Sequence, residues 1–217
     1  EDQIVVSTGA KQSLANVAMV LLNPGDEVVL PAPYWVSYRD IVKLAGGVPV
    51  EVPTSIESDF KMTPQQLRDA LSPKTKMIWY SSPCNPSGSV YSREELEGLA
   101  GVLREYPNVL VVSDEIYEHI NFRSTHASIA GIPGMYDRTI TVNGVSKAFA
   151  MTGFRLGYAC APAPLIEAMM KIHQYAMLCA PITSQTAAVE ALENGAGSMA
   201  KMKESYHQRR DYFVGRL

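Results

Sequence analysis

The chain has 217 residues, of which 47% are hydrophobic and 19% charged, with a formal net charge of −3 and a pI near 5.8. This length suits one large α/β domain, or one domain and part of a second. The mildly acidic balance argues against nucleic acid or an anionic membrane as the main partner, and no apolar run approaches the ~18 residues of a membrane span.

The cysteines and the first residues bear on cellular location. Cys84, Cys160 and Cys179 are scattered, odd in number and without metal-ligand spacing, a usage typical of reduced thiols. The chain opens on Glu-Asp-Gln-Ile, which predicts no secretory signal. We therefore expect a cytoplasmic protein with no metal centre.

Short β-prone runs alternate with helical patterns from the first residues onward. In chain order the first half predicts a strand at 4–7, a helix at 12–22, a strand at 27–30, a helix at 35–45 and a strand at 48–52. Thr63 then caps a helix that has proline in its first turn. A buried-type strand follows at 77–80.

The second half continues the alternation. Ser92 and Glu95 form a capping box for a helix that runs to about Tyr106. Further strands are predicted at 109–112, 139–142 and 155–159. Helices are predicted from Pro164 and from Ser184, and a last helical pattern covers about 199–217.

This alternation predicts an α/β fold, a three-layer α/β/α sandwich with a mostly parallel sheet covered on both faces. In such sheets ligands bind at the carboxyl ends of the strands. The segments with chemical potential all follow predicted strands, at 8–11, 33–35, 83–88, 114–117 and 144–147. The sequence therefore predicts one site at one edge of the sheet.

Lys147 is the residue around which this predicted site is organised. It follows the strand predicted at 139–142, and Arg155 comes eight residues later. A lysine at a strand end can act as a nucleophile toward a carbonyl, and an arginine can clamp a phosphate. An aldehyde together with a phosphate describes pyridoxal 5′-phosphate (PLP).

Two further segments could serve such a ligand, and each has a plainer reading. Thr8-Gly9-Ala10-Lys11 offers backbone N–H groups at a helix N-terminus, which is an anion site or simply a tight turn. Asp114 ends an apolar strand, where a carboxylate needs a partner. That partner could be a protonated pyridine nitrogen, or the residue could be a helix cap or part of a structural ion pair.

Three polar or aromatic residues complete the candidates. Tyr117 could point its phenol into the same crevice, and Trp35 could lie flat on an aromatic ring; core packing is the default interpretation of both. Asn85 is flanked by prolines, which either fixes its amide for a hydrogen bond or reflects turn chemistry alone.

The order of these segments resembles the class I/II (fold type I) PLP-dependent aminotransferases. The shared elements are Gly-Ala-Lys, Pro-Tyr-Trp, Asn-Pro-Ser-Gly, Ser-Asp-Glu-Ile-Tyr, and Ser-Lys with an arginine eight residues on. The resemblance runs through essentially the whole chain. PYWVSY, SDEIYE and KAFAMTGFRLGY look most like the branch of aspartate and aromatic aminotransferases.

The resemblance implies a role for each candidate. Lys147 would hold PLP as a Schiff base and move the proton between the substrate Cα and the cofactor. Asp114 would pair with the protonated pyridine nitrogen, and Tyr117 and Asn85 would hydrogen-bond the 3′ oxygen. The ring would stack on Trp35, with Tyr34 as the less favoured alternative, and the phosphate would be bound by the Arg155 guanidinium, the backbone N–H groups of Ala10 and Lys11 beside Gly9, and the Ser146 hydroxyl.

One position departs from the family pattern. Many members carry Ser or Thr three residues before the lysine as a phosphate ligand, whereas this chain has Gly144. We therefore expect that contact to be missing or moved, with Ser146 as a possible replacement.

The resemblance also implies an organisation and an activity. Residues 1–198 would form the PLP-binding large domain, and 199–217 would begin the helix that leads to a C-terminal small domain. The enzyme would be a homodimeric transaminase acting on an aspartate-type or aromatic L-amino acid and a 2-oxo acid. Since the family's N-terminal arm and substrate-binding arginine would lie outside these residues, we expect little activity from them alone.

Two other functions fit the same residues. A PLP-dependent β-C–S lyase would use the same lysine and the same cofactor contacts. A non-catalytic sensor with an aminotransferase-like domain would retain PLP without turnover.

Overall fold

Seven strands form one sheet in the computed structural model, which describes residues 1–123 and 125–217. The strands are β1 (Ile4–Ser7), β2 (Glu27–Ala32), β3 (Val48–Pro53), β4 (Thr75–Ser81), β5 (Leu110–Asp114), β6 (Thr139–Gly144) and β7 (Gly157–Cys160). Their order across the sheet is β1-β7-β6-β5-β4-β2-β3. β7 runs antiparallel to both of its neighbours, and the other pairs are parallel.

The helices are α1 (Ala10–Leu21), α2 (Ser37–Leu44), α3 (Pro64–Ala70), α4 (Arg93–Arg104), α5 (Ala163–Ala176), α6 (Ile182–Asn194) and α7 (Ala196–Val214). The two predicted helix starts with local caps are confirmed. The Thr63 hydroxyl accepts from the backbone of Gln66, whose side chain accepts in return. Ser92 and Glu95 form the same reciprocal pair at the start of α4.

Helices cover both faces of the sheet. α1, α2 and α5 pack on one face, where Leu14, Tyr38 and Trp79 belong to the same buried cluster. α3 and α4 pack on the other face around a second cluster that includes Leu67 and Leu99. The predicted three-layer α/β/α arrangement is confirmed.

The sheet brings the ends of five strands to one edge. β1, β2, β4, β5 and β6 are parallel, so the residues that follow them emerge together. Because β7 is antiparallel, its first residues lie at that same edge. The segment that precedes β7 therefore lies at this edge, together with the segments that follow the five parallel strands.

The predicted strand at 155–159 is wrong at its start. Arg155 has a φ of 54°, in the left-handed region, directly after the short helical turn Thr152–Phe154. β7 begins only at Gly157. A residue in this conformation cannot continue a ladder, so Arg155 stands on the turn that precedes the strand.

α7 begins at Ala196, so the domain boundary predicted between residues 198 and 199 falls inside a helix. None of the α7 residues, all of which the structure describes, is buried. Across residues 1–123 and 125–217, no helix combines the length and the apolar character that crossing a membrane requires.

Candidate active site

A cavity of about 300 Å³ opens at the carboxyl edge of the parallel strands. Its walls contain nine of the ten residues singled out from the sequence; Gly9, the tenth, directly precedes α1 and adjoins the Arg155 guanidinium. The lining residues are Ala10, Lys11, Leu14, Trp35, Tyr38, Ser81, Asn85, Asp114, Ile116, Tyr117, Ser146, Lys147, Thr152 and Arg155. Segments far apart in the sequence thus meet at one place.

Lys147 stands three residues after the end of β6 and is half-buried. The turn that carries it is anchored by Val145, which is fully buried and whose backbone N–H donates to the carbonyl of Leu156. The ammonium nitrogen lies 5.5 Å from the ring centroid of Tyr117. The lysine is therefore held at the cavity by a buried neighbour while its amine faces the open volume.

Asp114 is the last residue of β5, and its exposed fraction is only 3%. Its Oδ2 accepts a hydrogen bond from the Tyr38 hydroxyl at 2.6 Å, and its Oδ1 accepts from the backbone N–H of Ile116 at 3.2 Å. Burial raises the pKa of Asp114 to about 6, although both hydrogen bonds oppose the rise. Since no basic side chain among the described residues forms an ion pair with it, the carboxylate suits a cationic N–H group in the cavity.

Tyr38 is a site residue that sequence reasoning missed. It is 1% exposed and lies on α2, three residues after Trp35. A signal was present in Pro-Tyr-Trp-Val-Ser-Tyr, because the helix predicted at 35–45 would place residues i and i+3 on one face. The partner, Asp114, is 76 positions away, which local pattern does not reveal.

The part of the cavity wall formed by the start of α1 and by Arg155 is suited to an anion. Gly9 precedes α1 with a φ of 84°, and among the described residues no side chain caps this helix start. The N–H of Gln12 donates to the Gly9 carbonyl, and the backbone N–H groups of Ala10 and Lys11 remain for an anion. A Cβ on Gly9 would overlap the Arg155 guanidinium, which donates to the carbonyl of Thr152 at 2.9 Å. A guanidinium and a helix N-terminus therefore converge.

A buried hydroxyl lies next to this site in the sequence. Thr8 Oγ1 is fully buried and, within the part of the chain that the structure describes, has no hydrogen-bond partner. A buried hydroxyl without a partner is costly, so it commonly marks a bound group. Thr8 stands directly before Gly9 and the start of α1, although it is not among the residues that line the cavity.

The aromatic and amide candidates line the cavity as well. Trp35 forms part of its wall, and the ammonium of Lys11 lies 4.6 Å from the centre of the indole. Tyr34, the alternative for a stacking role, lines a separate small pocket with Phe60. Of the two adjacent aromatic residues, the geometry therefore favours Trp35.

The family departure at Gly144 has a structural reason. A Cβ on Gly144 would lie 2.8 Å from the Cα of Gly157 and 2.8 Å from the carbonyl oxygen of Leu156. Gly144 and Gly157 pair across β6 and β7, so the strands approach without side chains between them. Ser146, in contrast, is placed on the cavity wall.

We expect Gly144→Ser to destabilise the protein without adding an anion ligand. The new Cβ would press on backbone atoms, and overpacking of this kind costs about 1–3 kcal/mol. Urea unfolding followed by circular dichroism measures the loss. Gly153→Ser is the matched control, because a Cβ at Gly153 meets nothing within 4 Å. Equal midpoints for the two variants would contradict the close approach.

A second polar cluster contains Glu115, Glu118 and His126, whose ligand-type atoms all lie within 4.8 Å of one another. Glu115 accepts from the hydroxyls of Ser113 and Ser128 at 2.9 and 2.6 Å, and it pairs with His126 Nε2 at 2.7 Å. Burial opposes protonation of His126, but the bond to Glu115 outweighs it and raises the pKa of the imidazole. These contacts already satisfy both Glu115 oxygens, so we assign no metal here.

The chain was compared with known proteins. The family model described as "Aminotransferase class I and II" matches residues 1–217. The bifunctional aspartate aminotransferase and glutamate/aspartate-prephenate aminotransferase of Petunia hybrida is 51% identical, over 98% of this chain and 45% of that protein. The chain spans about half the length of the curated relatives it matches.

Solved structures agree closely with the fold. The aspartate aminotransferase of Rhizobium meliloti superposes with a TM-score of 0.95 at 44% identity, covering 99% of this chain and 54% of that one. The aromatic aminotransferase of Pyrococcus horikoshii gives 0.95 at 42% identity, covering 99% and 58%.

Proposed function

Because the chain belongs to the aminotransferase class I and II family, we propose that it forms the cofactor-binding part of a PLP-dependent transaminase. The observation that carries the proposal is the single cavity in which Lys147, Asp114 and Arg155 meet. The substrates proposed are an L-amino acid of aspartate or aromatic type and a 2-oxo acid. The names of relatives of both types support this range.

The residues of the cavity fit PLP at each of its functional groups. The amine of Lys147 suits the aldehyde, the buried carboxylate of Asp114 suits the protonated ring nitrogen, and the α1 N-terminus with Arg155 suits the phosphate. Trp35 offers a flat face for the ring. Tyr117 and Asn85 offer hydrogen-bond donors for the ring oxygen.

When bound, PLP supplies an aldehyde that condenses with amines and a ring that accepts electrons from the substrate Cα. The protein then contributes positions and protons. Lys147, once its amine is free, is the base that moves a proton between the substrate Cα and the cofactor. Asp114 keeps a proton on the ring nitrogen by opposing its loss with a fixed negative charge.

The same proposal extends to assembly and domains. We propose a homodimer, supported by large apolar side chains exposed near the α5–α6 turn: Tyr175 is 88%, Leu178 77% and Ile182 73% exposed. We also propose that residues 199–217 link the cofactor-binding domain, 1–198, to a smaller domain. The exposed aromatic side chains of Tyr212 and Phe213 on α7 support a further packing partner there.

The test is a half-reaction with the full-length protein. PLP-loaded protein is mixed with aspartate, tyrosine or cystathionine, and the cofactor spectrum and released 2-oxo acids are recorded. A transaminase converts its cofactor once per site and completes the cycle only after a 2-oxo acid is added. Pyruvate released continuously from cystathionine, with no exchange of amino groups, would overturn the proposal in favour of a lyase. Stable PLP binding with no conversion of any amino acid would instead indicate a sensor.

A further inference from the structure

Resting on the proposed function, we propose that Tyr38 is a positioning residue for the cofactor's ring nitrogen. Its hydroxyl fixes the carboxylate of Asp114 in one orientation and favours its ionised form. Its ring also packs edge-on against Trp35.

The first support is the geometry of the carboxylate. Asp114 receives one hydrogen bond on each oxygen, at 2.6 Å from Tyr38 and at 3.2 Å from the backbone of Ile116. A carboxylate rotates about its last bond unless both oxygens are held, and the backbone contact is the longer of the two. Both bonds have a charged acceptor, and the bond from the Tyr38 hydroxyl is the shorter one. Tyr38 therefore sets the direction in which the remaining lone pairs face the cavity.

The second support is the burial of the hydroxyl itself. Tyr38 is 1% and Asp114 3% exposed, so the hydrogen bond between them is largely shielded from bulk water. Burial raises the pKa of the Tyr38 phenol well above its ordinary value, and the Asp114 charge adds to this. The phenol therefore keeps its proton and acts as a donor toward Asp114.

The third support is the packing of the ring. Tyr38 lies 4.9 Å from the Trp79 ring and 5.7 Å from the Trp35 ring, which it meets edge-on at 89°. Trp79, on β4, is fully buried, so Tyr38 packs between a fixed core residue and Trp35. These are the two tryptophans of the chain. Their fluorescence therefore reports on the surroundings of Tyr38.

The ionisable groups that act on this pair come from several elements. Tyr38 belongs to α2, Glu115 follows Asp114 directly, and Lys147 follows β6; Glu115 opposes ionisation of Asp114, whereas Tyr38 and Lys147 favour it. Cys84, between β4 and α4, acts on Tyr38. Removal of the Tyr38 hydroxyl alone leaves these other groups in place, so its effect can be isolated.

The experiment uses Tyr38→Phe in the full-length protein, with 4-deoxypyridoxine 5′-phosphate as the probe. This compound has the ring nitrogen and the phosphate but no aldehyde, so its dissociation constant excludes the bond to Lys147. Tryptophan quenching gives the constant from pH 5.5 to 9. Since the probe ionises identically with every variant, the difference between two curves isolates the protein group.

The affinity for the probe should fall as the pH is lowered, because Asp114 then becomes protonated. We expect this fall to begin at a higher pH in Tyr38→Phe than in the wild type. Near pH 7 the loss should be roughly 10- to 100-fold, as for a lost hydrogen bond to a charged group, and the curves should converge near pH 9. Tyr91→Phe is the matched control. It also removes a buried hydroxyl, one that accepts from the backbone of Met62 away from the cavity, and its curve should follow the wild type.

A double-mutant comparison tests whether Tyr38 acts through Asp114. In an Asp114→Asn background, Tyr38→Phe should change the affinity by less than about twofold, because the charge it serves is absent. An infrared titration of the protonated Asp114 carboxyl gives a second readout, which needs no probe. Its midpoint should move to higher pH in Tyr38→Phe, and the band should be absent from Asp114→Asn.

Two failures are distinguishable. If the wild type binds the probe and Tyr38→Phe matches it at every pH, or if the loss persists in the Asp114→Asn background, Tyr38 has no positioning role. If the wild type does not bind the probe at any pH, the PLP function itself is overturned, and the role of Tyr38 falls with it.

Discussion

Lys147→Ala is expected to abolish covalent attachment of PLP in the full-length protein. Borohydride reduction of the PLP-loaded wild type should fix the cofactor to the peptide that contains Lys147, and the variant should give no such peptide. Turnover should fall by at least the roughly 10²- to 10⁴-fold that acid–base catalysis supplies. Mass spectrometry of the digest measures the first effect and a transamination assay the second.

The chain offers a matched control within the same cavity. Lys11 also lines the wall, and its ammonium lies over the Trp35 ring. Lys11→Ala removes a nearby amine but keeps the backbone N–H at the anion site, so it should retain the borohydride-fixed adduct at Lys147. An adduct that survives in Lys147→Ala and disappears in Lys11→Ala would reverse the assignment of the two lysines.

Asp114→Asn is expected to retain PLP and to lose most of its turnover. The amide keeps the size of the side chain but cannot hold a proton on the ring nitrogen by charge. Removal of one preorganised electrostatic partner typically lowers kcat by about 10²- to 10³-fold. Steady-state assays with saturating PLP measure the loss. Wild-type turnover in this variant would show that Asp114 serves only the fold.

The same variant makes a pH-dependent prediction without the cofactor. The folded pKa of Asp114, about 6, is above its ordinary value of 3.8. Its contribution to stability is therefore complete below pH 3.8 and lost as the pH rises through 6. Between pH 4 and pH 8, the free energy of unfolding of Asp114→Asn should therefore rise relative to that of the PLP-free wild type, by up to about 3 kcal/mol.

Urea midpoints at the two pH values check this sign. An advantage for the variant that does not grow with pH would mean that Asp114 is not forced to ionise inside the fold. If Asp114→Asn is more stable and also less active, then Asp114 is a residue that serves function at the expense of stability. The cavity then holds a charge that is favourable only with its ligand in place.

Residues that act on near neighbours were predicted well from the sequence. The capping boxes at Thr63 and Ser92 join groups three positions apart, so their residue types specify the contact. The strand ends that carry Lys147 and Asp114 were also predicted, because short apolar runs are a local signal. Their meeting at one edge followed from the parallel order that alternating strands and helices favour.

Contacts between distant segments were not predictable in this way. Arg155 was placed in a strand, although a left-handed turn puts its guanidinium beside Gly9. Gly144 was interpreted as a missing ligand, whereas it permits the close approach of β6 to β7. Tyr38 was overlooked because its partner, Asp114, lies 76 positions away in the sequence.

The sequence alone therefore determined the α/β alternation, the family and the chemical identity of the site's main residues, since each depends on residue types in a fixed local order. Only the tertiary structure decided which groups share a hydrogen bond, which face the cavity and which glycine is a spacer. Those properties depend on the distances between segments that are far apart in the sequence. The strand order and the direction of β7 bring these segments together. Neither distance nor direction is encoded within the span of any one motif.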